Sequence, residues 1–265
     1  MRATPSATER PLNFSTPYLR AALVRDAVDH PVEGRTIVVN PGVKPVTIAE
    51  EPRKTIPPLS STVLADTRIE QADALILLRS AGEGADVAGI VDQPGWSHLA
   101  DTSDHGDFPR ETPLYRSSQD DINTVLFDPS YVLGESETEG YLREFNVRAN
   151  LWFAPAGTDC FIHNKHDFIE VHTQVHGLGR MQRFRNQDQA SLYQDVLMSP
   201  GYTTPDPFCA TGPQCTYHYP MHQYRADTDC IWLAIEYHPV PRALRTLPTT
   251  TLPAARPAAL LETRS

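Results

Sequence analysis

Short β-branched runs separated by Gly and Pro turns fill residues 35–93: RTIVVN, VTIAE, STVLADTRIE, DALILLRSA and DVAGIVD. Each reads as a strand. Residues 16–30 (TPYLRAALVRDAVDH) carry a different rhythm. Leu19, Leu23 and Val24, followed by Val28, recur at helical spacing and predict a short amphipathic helix. Residues 94–130 read as loop-rich. A second strand series runs from EFNVRANLWFAP through TDCFIHN, DFIEVHTQVHG, GRMQRFR, SLYQDVLMSPG and CTYHYPMHQYRA to DCIWLAIEYHPV. Strands this short and closely spaced predict an all-β protein with a small barrel or sandwich and few short helices. Residues 1–15 and 244–265 have little to bury and read as tails.

Within the second series, HNKHDFIEVHTQVHG inverts the usual pattern of a half-buried strand. Side chains of a strand alternate faces with a period of two. Asn164, His166, Phe168, Glu170, His172, Gln174 and His176 then share one face, and Lys165, Asp167, Ile169, Val171, Thr173 and Val175 share the other. Lys, Glu, Thr and Ser build an ordinary solvated face. Imidazoles spaced around a carboxylate describe the wall of a metal or ligand cavity instead. Burying Glu170 without a cation is costly, which favours a metal. Seven of the ten histidines lie between His163 and His238.

Composition narrows the function classes. The chain has 265 residues with 40% hydrophobic content, enough for one large β domain or two smaller ones. Its 24 prolines favour short strands over long helices. A net charge of −10 argues against nucleic acid or an anionic membrane as the main partner. No apolar run approaches the roughly 20 residues that span a bilayer. The start, MRATPSATERPLNFSTPYLR, has no apolar h-region, so a cytoplasmic protein with reduced thiols is expected. Cys209 and Cys215 lack zinc-site spacing and read as free loop cysteines. His98, Asp101, Asp104, His105 and Asp107 read as a polar surface loop.

The second series resembles the cupin superfamily over about residues 145–240. A cupin's first motif is G-x5-H-x-H-x3,4-E-x6-G. Gly157 stands six before His163, His166 four before Glu170, and Gly177 seven after Glu170. The first motif histidine belongs at 164, where this chain has Asn164, and His163 comes one residue early. The second motif, G-x5-P-x-G-x2-H-x3-N, is matched in part. His222 stands before a hydrophobic strand, Pro220 is displaced, the glycine is absent and Ala226 holds the asparagine position.

The resemblance implies a double-stranded β-helix (a jelly-roll barrel) with a divalent metal inside. It implies His166, Glu170 and His222 as ligands. Two imidazoles and a carboxylate compose the facial triad that favours Fe(II). Strand parity points His163 outward; a bulge would bring it in as a fourth ligand, and Mn, Ni, Zn or Cu also occupy such sites. His172 and Gln174 are the candidate catalytic groups beyond the ligands. Arg180, Gln182, Phe168, Tyr219, Tyr224 and Trp232 are the candidate substrate contacts, with a guanidinium to hold a carboxylate. His218 and His238 default to the surface.

The chain thus divides into residues 1–130 (a short helix and a β region), 131–243 (the metal-binding barrel) and 244–265 (a flexible tail). The first region stays open between a degenerate second cupin half, a dimerisation surface and a lid. The expected function is that of an Fe(II) dioxygenase or other oxygenase acting on a small polar molecule with O2. A non-redox isomerase, epimerase or lyase and a non-catalytic binding cupin are the alternatives. A homodimer is expected from the resemblance, with no nucleic-acid or membrane partner.

Overall fold

The structure is a computed structural model that describes residues 7–80, 86–102, 108–135, 141–204, 207–212, 216–241 and 245–246. The architecture is all-β. The first seven-stranded sheet comprises β1 (Thr8–Pro11), β2 (Leu19–Val32), β3 (Thr36–Asn40), β4 (Val46–Ile48), β5 (Lys54–Ile56), β6 (Ser60–Leu64) and β7 (Thr67–Ser80). Its central path runs β1-β2-β7-β3-β6. The second sheet begins with β8 (Trp96–His98), β9 (Tyr115–Ser117), β10 (Asp120–Phe127), β11 (Tyr141–Ala154) and β12 (Ile169–His176). A three-stranded sheet holds β13 (Gly179–Phe184) between β14 (Leu192–Met198) and a later strand. After the short hairpin β15 (Ala210–Thr211) and β16 (Tyr217–His218), that strand is β17 (Met221–Ala226). Finally β18 (Cys230–Pro239) returns to the second sheet between β12 and β11, and β19 (Arg245–Thr246) adds to the start of β11.

Residues 16–30 are not a helix. They belong to β2, which pairs antiparallel with β7 from Leu19↔Ser80 to Val32↔Thr67. Leu19 and Leu23 fit a helical stripe, but Leu19, Ala21 and Leu23 also fit a strand and are all buried. The alternation slips at Asp26 and Asp29, both with positive φ (51° and 49°). That left-handed conformation is tolerated by Asp in single residues and excludes a continuing helix. The two slips scramble the period-two pattern, which is why it reads as helical. The stretch 94–130 is likewise richer in strand than its composition suggests, because β8, β9 and β10 join the second sheet through β11. His98 caps the turn after β8, accepting from Ala100 N–H (3.2 Å), and Asp101 pairs with Arg110. Asp104, His105, Asp107, Cys215 and most of the C-terminal tail lie outside the described residues.

The inverted pattern of β12 explains how the sheets stack. Ile169, Val171 and Val175 join Leu233, Ile235 and Tyr237 of β18 and Val147, Ala149 and Leu151 of β11 in one buried cluster. The same cluster contains Leu19, Leu23, Val39, Ile76 and Leu78 of the first sheet. The apolar face of the second sheet therefore packs on the first sheet, as expected for stacked sheets. Polar ties fix the two regions together. Asp120 accepts from both ends of the Arg10 guanidinium (2.7 and 2.9 Å), and Tyr237 Oη donates to Pro41 O (2.9 Å). With that side occupied, Glu170, His172 and Gln174 face the other way, toward the small sheet. Gly177 makes the turn from β12 to β13 at φ +73°, and a Cβ there would collide with the carbonyl oxygen of Asp229.

Candidate metal centre

Residues 155–168 run irregularly from β11 to β12, alongside β17. His163 and His222 form an isolated antiparallel bridge with both backbone bonds made (His163 N–H to His222 O 3.0 Å, His222 N–H to His163 O 2.9 Å). Cross-strand partners put their side chains on the same side, so the two imidazoles meet with ring centroids 4.4 Å apart. Strand parity, which points His163 away from His166, does not apply. The segment between them is not a strand, and Phe161 turns the chain at φ +87°.

Three ring nitrogens converge. His166 Nε2 lies 3.1 Å from His163 Nε2 and 3.2 Å from His222 Nε2. His163, His166 and His222 form the group of possible donors found within 4.8 Å of one another among the described residues. The tautomers of two rings are fixed by backbone. His163 Nδ1 is 3.0 Å from Phe161 O, and His222 Nδ1 is 2.9 Å from Pro220 O. A carbonyl only accepts, so Nδ1–H donates in both rings and each neutral ring turns the lone pair of Nε2 into the cluster. This is the outer-shell arrangement of metal-ligating histidines. Burial pushes His166 down to about 4, against the opposing pull of Glu170, and burial with the neighbouring His163 holds His222 well below its ordinary value. Imidazole nitrogens bind such metals at about 2.0–2.1 Å, so donors about 3 Å apart suit adjacent positions on one ion. The three residues fit a divalent metal.

Glu170 stands beside this group rather than within it. One carboxylate oxygen is 3.8 Å from Nδ1 of His166 and the other is 3.2 Å from Nε2 of His172. Burial pushes Glu170 up, but His172, with His166 and His222, outweighs it and holds the carboxyl below its ordinary value. In the β12–β18 register Glu170 lies directly opposite Glu236. Two like charges facing each other are destabilising, and each has its own imidazole. Glu236 is 2.7 Å from His238 Nε2 and accepts from Gln119 Nε2 at 2.7 Å. His238 rests on Phe168 (ring centroids 4.5 Å), so it lines this face and is not a plain surface residue.

The remaining expected residues divide. Tyr219 accepts from Glu170 N–H and donates to Phe168 O, both 2.9 Å, and its ring lies 4.7 Å from that of His166. Phe168 lies 5.4 Å from His166. Both are walls of the site. Gln174 is fully buried and its amide is spent: it donates to His176 O (2.7 Å) and Gly177 O (3.2 Å) and accepts from Tyr224 Oη. Tyr224 stacks on Trp232 (3.8 Å between centroids), closing the far end of the same face. Arg180 points away, held by Asp227 (2.7 Å) and Asp195 (2.8 Å). Gln182 shares that outer side and pairs with Gln223 (2.9 Å). Met181 and Arg183, opposite Tyr224 and His222, take the inner side of β13. Phe208, 4.8 Å from His222 and 5.4 Å from Tyr219, is a wall that nothing in the sequence marked, because a loop delivers it.

No family model and no curated protein matches the chain. Solved structures do. A cupin 2 conserved barrel domain protein from Leptotrichia buccalis is 12% identical, over 89% of this chain and 91% of that one, with a TM-score of 0.29. A point mutant of Bacillus subtilis oxalate decarboxylase is 13% identical, over 91% of this chain and 74% of that one, with a TM-score of 0.27. Ectoine synthase from P. lautus is 13% identical, over 54% of this chain and 78% of that one, also with a TM-score of 0.27. Likenesses at this level assign no activity, substrate or metal.

Proposed function

We propose that this cupin-like protein is a metal-dependent enzyme that binds one divalent metal through His163, His166 and His222 and oxygenates a small polar molecule. The observation that carries the reading is the pair of backbone carbonyls that turns two imidazole lone pairs onto the ring nitrogen of His166. Three imidazole nitrogens this close, two of them held with their lone pairs inward, are the donor set that a divalent ion takes up. Imidazole ligands suit iron, zinc, copper and nickel, and iron(II) would supply the redox chemistry that O2 requires.

The chain's own groups handle protons. Glu170 only accepts, so His172 donates through Nε2 and its Nδ1 lone pair is left free. That atom is buried with no partner among the described residues. A positioned imidazole backed by a carboxylate is a competent general base. The same pair favours a second reading, in which the metal acts as a Lewis acid for an isomerase or lyase. Anaerobic loading with Fe(II), followed by oxygen uptake with small polar candidates, separates the two. Oxygen consumed in step with substrate is the expected result. Full turnover with zinc in the absence of oxygen contradicts the oxygenase and leaves the Lewis-acid enzyme.

A further inference from the structure

The site face carries a cation that the sequence alone did not single out. Arg183 is directly opposite His222 in the β13–β17 register, so both side chains leave the small sheet on the same side. Its guanidinium carbon lies 5.1 Å over the ring of Phe208, the residue that also packs against His222 and Tyr219. Of the other arginines near this sheet, Arg180 is neutralised by Asp195 and Asp227 and Arg225 by Asp159, while Arg185, past the end of β13, lies over Tyr193 of β14. Arg183 is half-buried and has no carboxylate partner among the described residues. An aromatic platform occupies the flat face of a guanidinium and leaves its N–H edge free. That edge matches a carboxylate with two parallel hydrogen bonds.

We propose that Arg183 binds a carboxylate of the substrate, so that the molecule brought to this centre is a small organic carboxylate. The inference rests on the preceding reading for where the substrate lies, but the binding of the anion needs no metal. Arg183 and His222 are cross-strand partners, so a carboxylate held by the guanidinium lies on the same side of the small sheet as the three histidines.

Calorimetric titration of the metal-free and the cobalt-loaded protein with succinate, and with succinamide as the neutral isostere, tests this. Succinate is expected to bind both forms and succinamide neither. Arg183→Met keeps the apolar stem and removes the fork, and is expected to weaken succinate about 10- to 100-fold in both forms. Arg183→Lys falls between, since an ammonium keeps the charge and loses the bidentate geometry. Unchanged circular dichroism and cobalt content in Arg183→Met exclude misfolding as the cause. Succinate binding that is unaltered in Arg183→Met, or absent from the wild-type protein, overturns the proposal. Binding only to the cobalt form and equally in both variants also overturns it while leaving the metal centre intact. Arg183-dependent binding in a protein that takes up no cobalt sustains it and removes the metal centre.

Discussion

His166→Ala lowers the affinity for a divalent metal by more than the roughly 10- to 100-fold that loss of an outer-shell partner costs. His166 is the middle nitrogen of the three, 3.1 and 3.2 Å from the other two, so its removal leaves His163 and His222 without the donor that links them. Competition against a chromophoric chelator reads the affinity. His172→Ala is the matched comparison. It removes an imidazole of similar burial that contacts Glu170 and lies outside the converging group, and should stay within the outer-shell range. Equal losses in the two variants would mean that the histidines act only through packing.

Glu170→Ala destabilises the metal-free protein by about 1–3 kcal/mol, the cost of leaving a buried imidazole N–H without its acceptor. The Glu170 side chain is 6% exposed, and its carboxylate sits between His172 (3.2 Å) and His166 (3.8 Å). Removing it leaves both imidazoles facing an apolar gap. Glu170→Gln keeps the volume and one acceptor and costs less. The sign with pH follows from the depressed carboxyl. Its contribution is complete above the unfolded value of about 4.3 and is lost as pH falls toward the lower folded value. The difference between wild type and Glu170→Ala in urea unfolding therefore narrows in acid. A loss below about 1 kcal/mol at neutral pH would mean that water or the metal, rather than the two imidazoles, satisfies the carboxylate.

How much of this was legible in the sequence depended on whether a residue's orientation is set locally. In β12 it is. Ile169, Val171 and Val175 pack in the core, and Glu170, His172 and Gln174 take the opposite face, because an uninterrupted strand keeps its period. The same parity failed at His163, where an irregular segment held by a single bridge to His222 sets the direction. It failed in β2, where two left-handed aspartates shift the phase. The choice between Arg180 and Arg183 could not be read locally, since only the register with β17 tells which side of β13 faces the histidines. Glu236 and His238 were hidden for a similar reason. Their alternation with Ile235 and Tyr237 was visible, but the position of Glu236 opposite Glu170 is a long-range pairing. Motif spacing offers Glu170 as a ligand, and in the structure its carboxylate lies between Nδ1 of His166 (3.8 Å) and Nε2 of His172 (3.2 Å).

X-ray absorption at the metal edge of the reconstituted protein measures the coordination shell itself. The geometry described here predicts one metal per chain with three imidazole nitrogens at about 2.0–2.1 Å, falling to two in His166→Ala. A shell with one imidazole or none, or a wild-type spectrum that His166→Ala leaves unchanged, would show that the three histidines do not hold the ion.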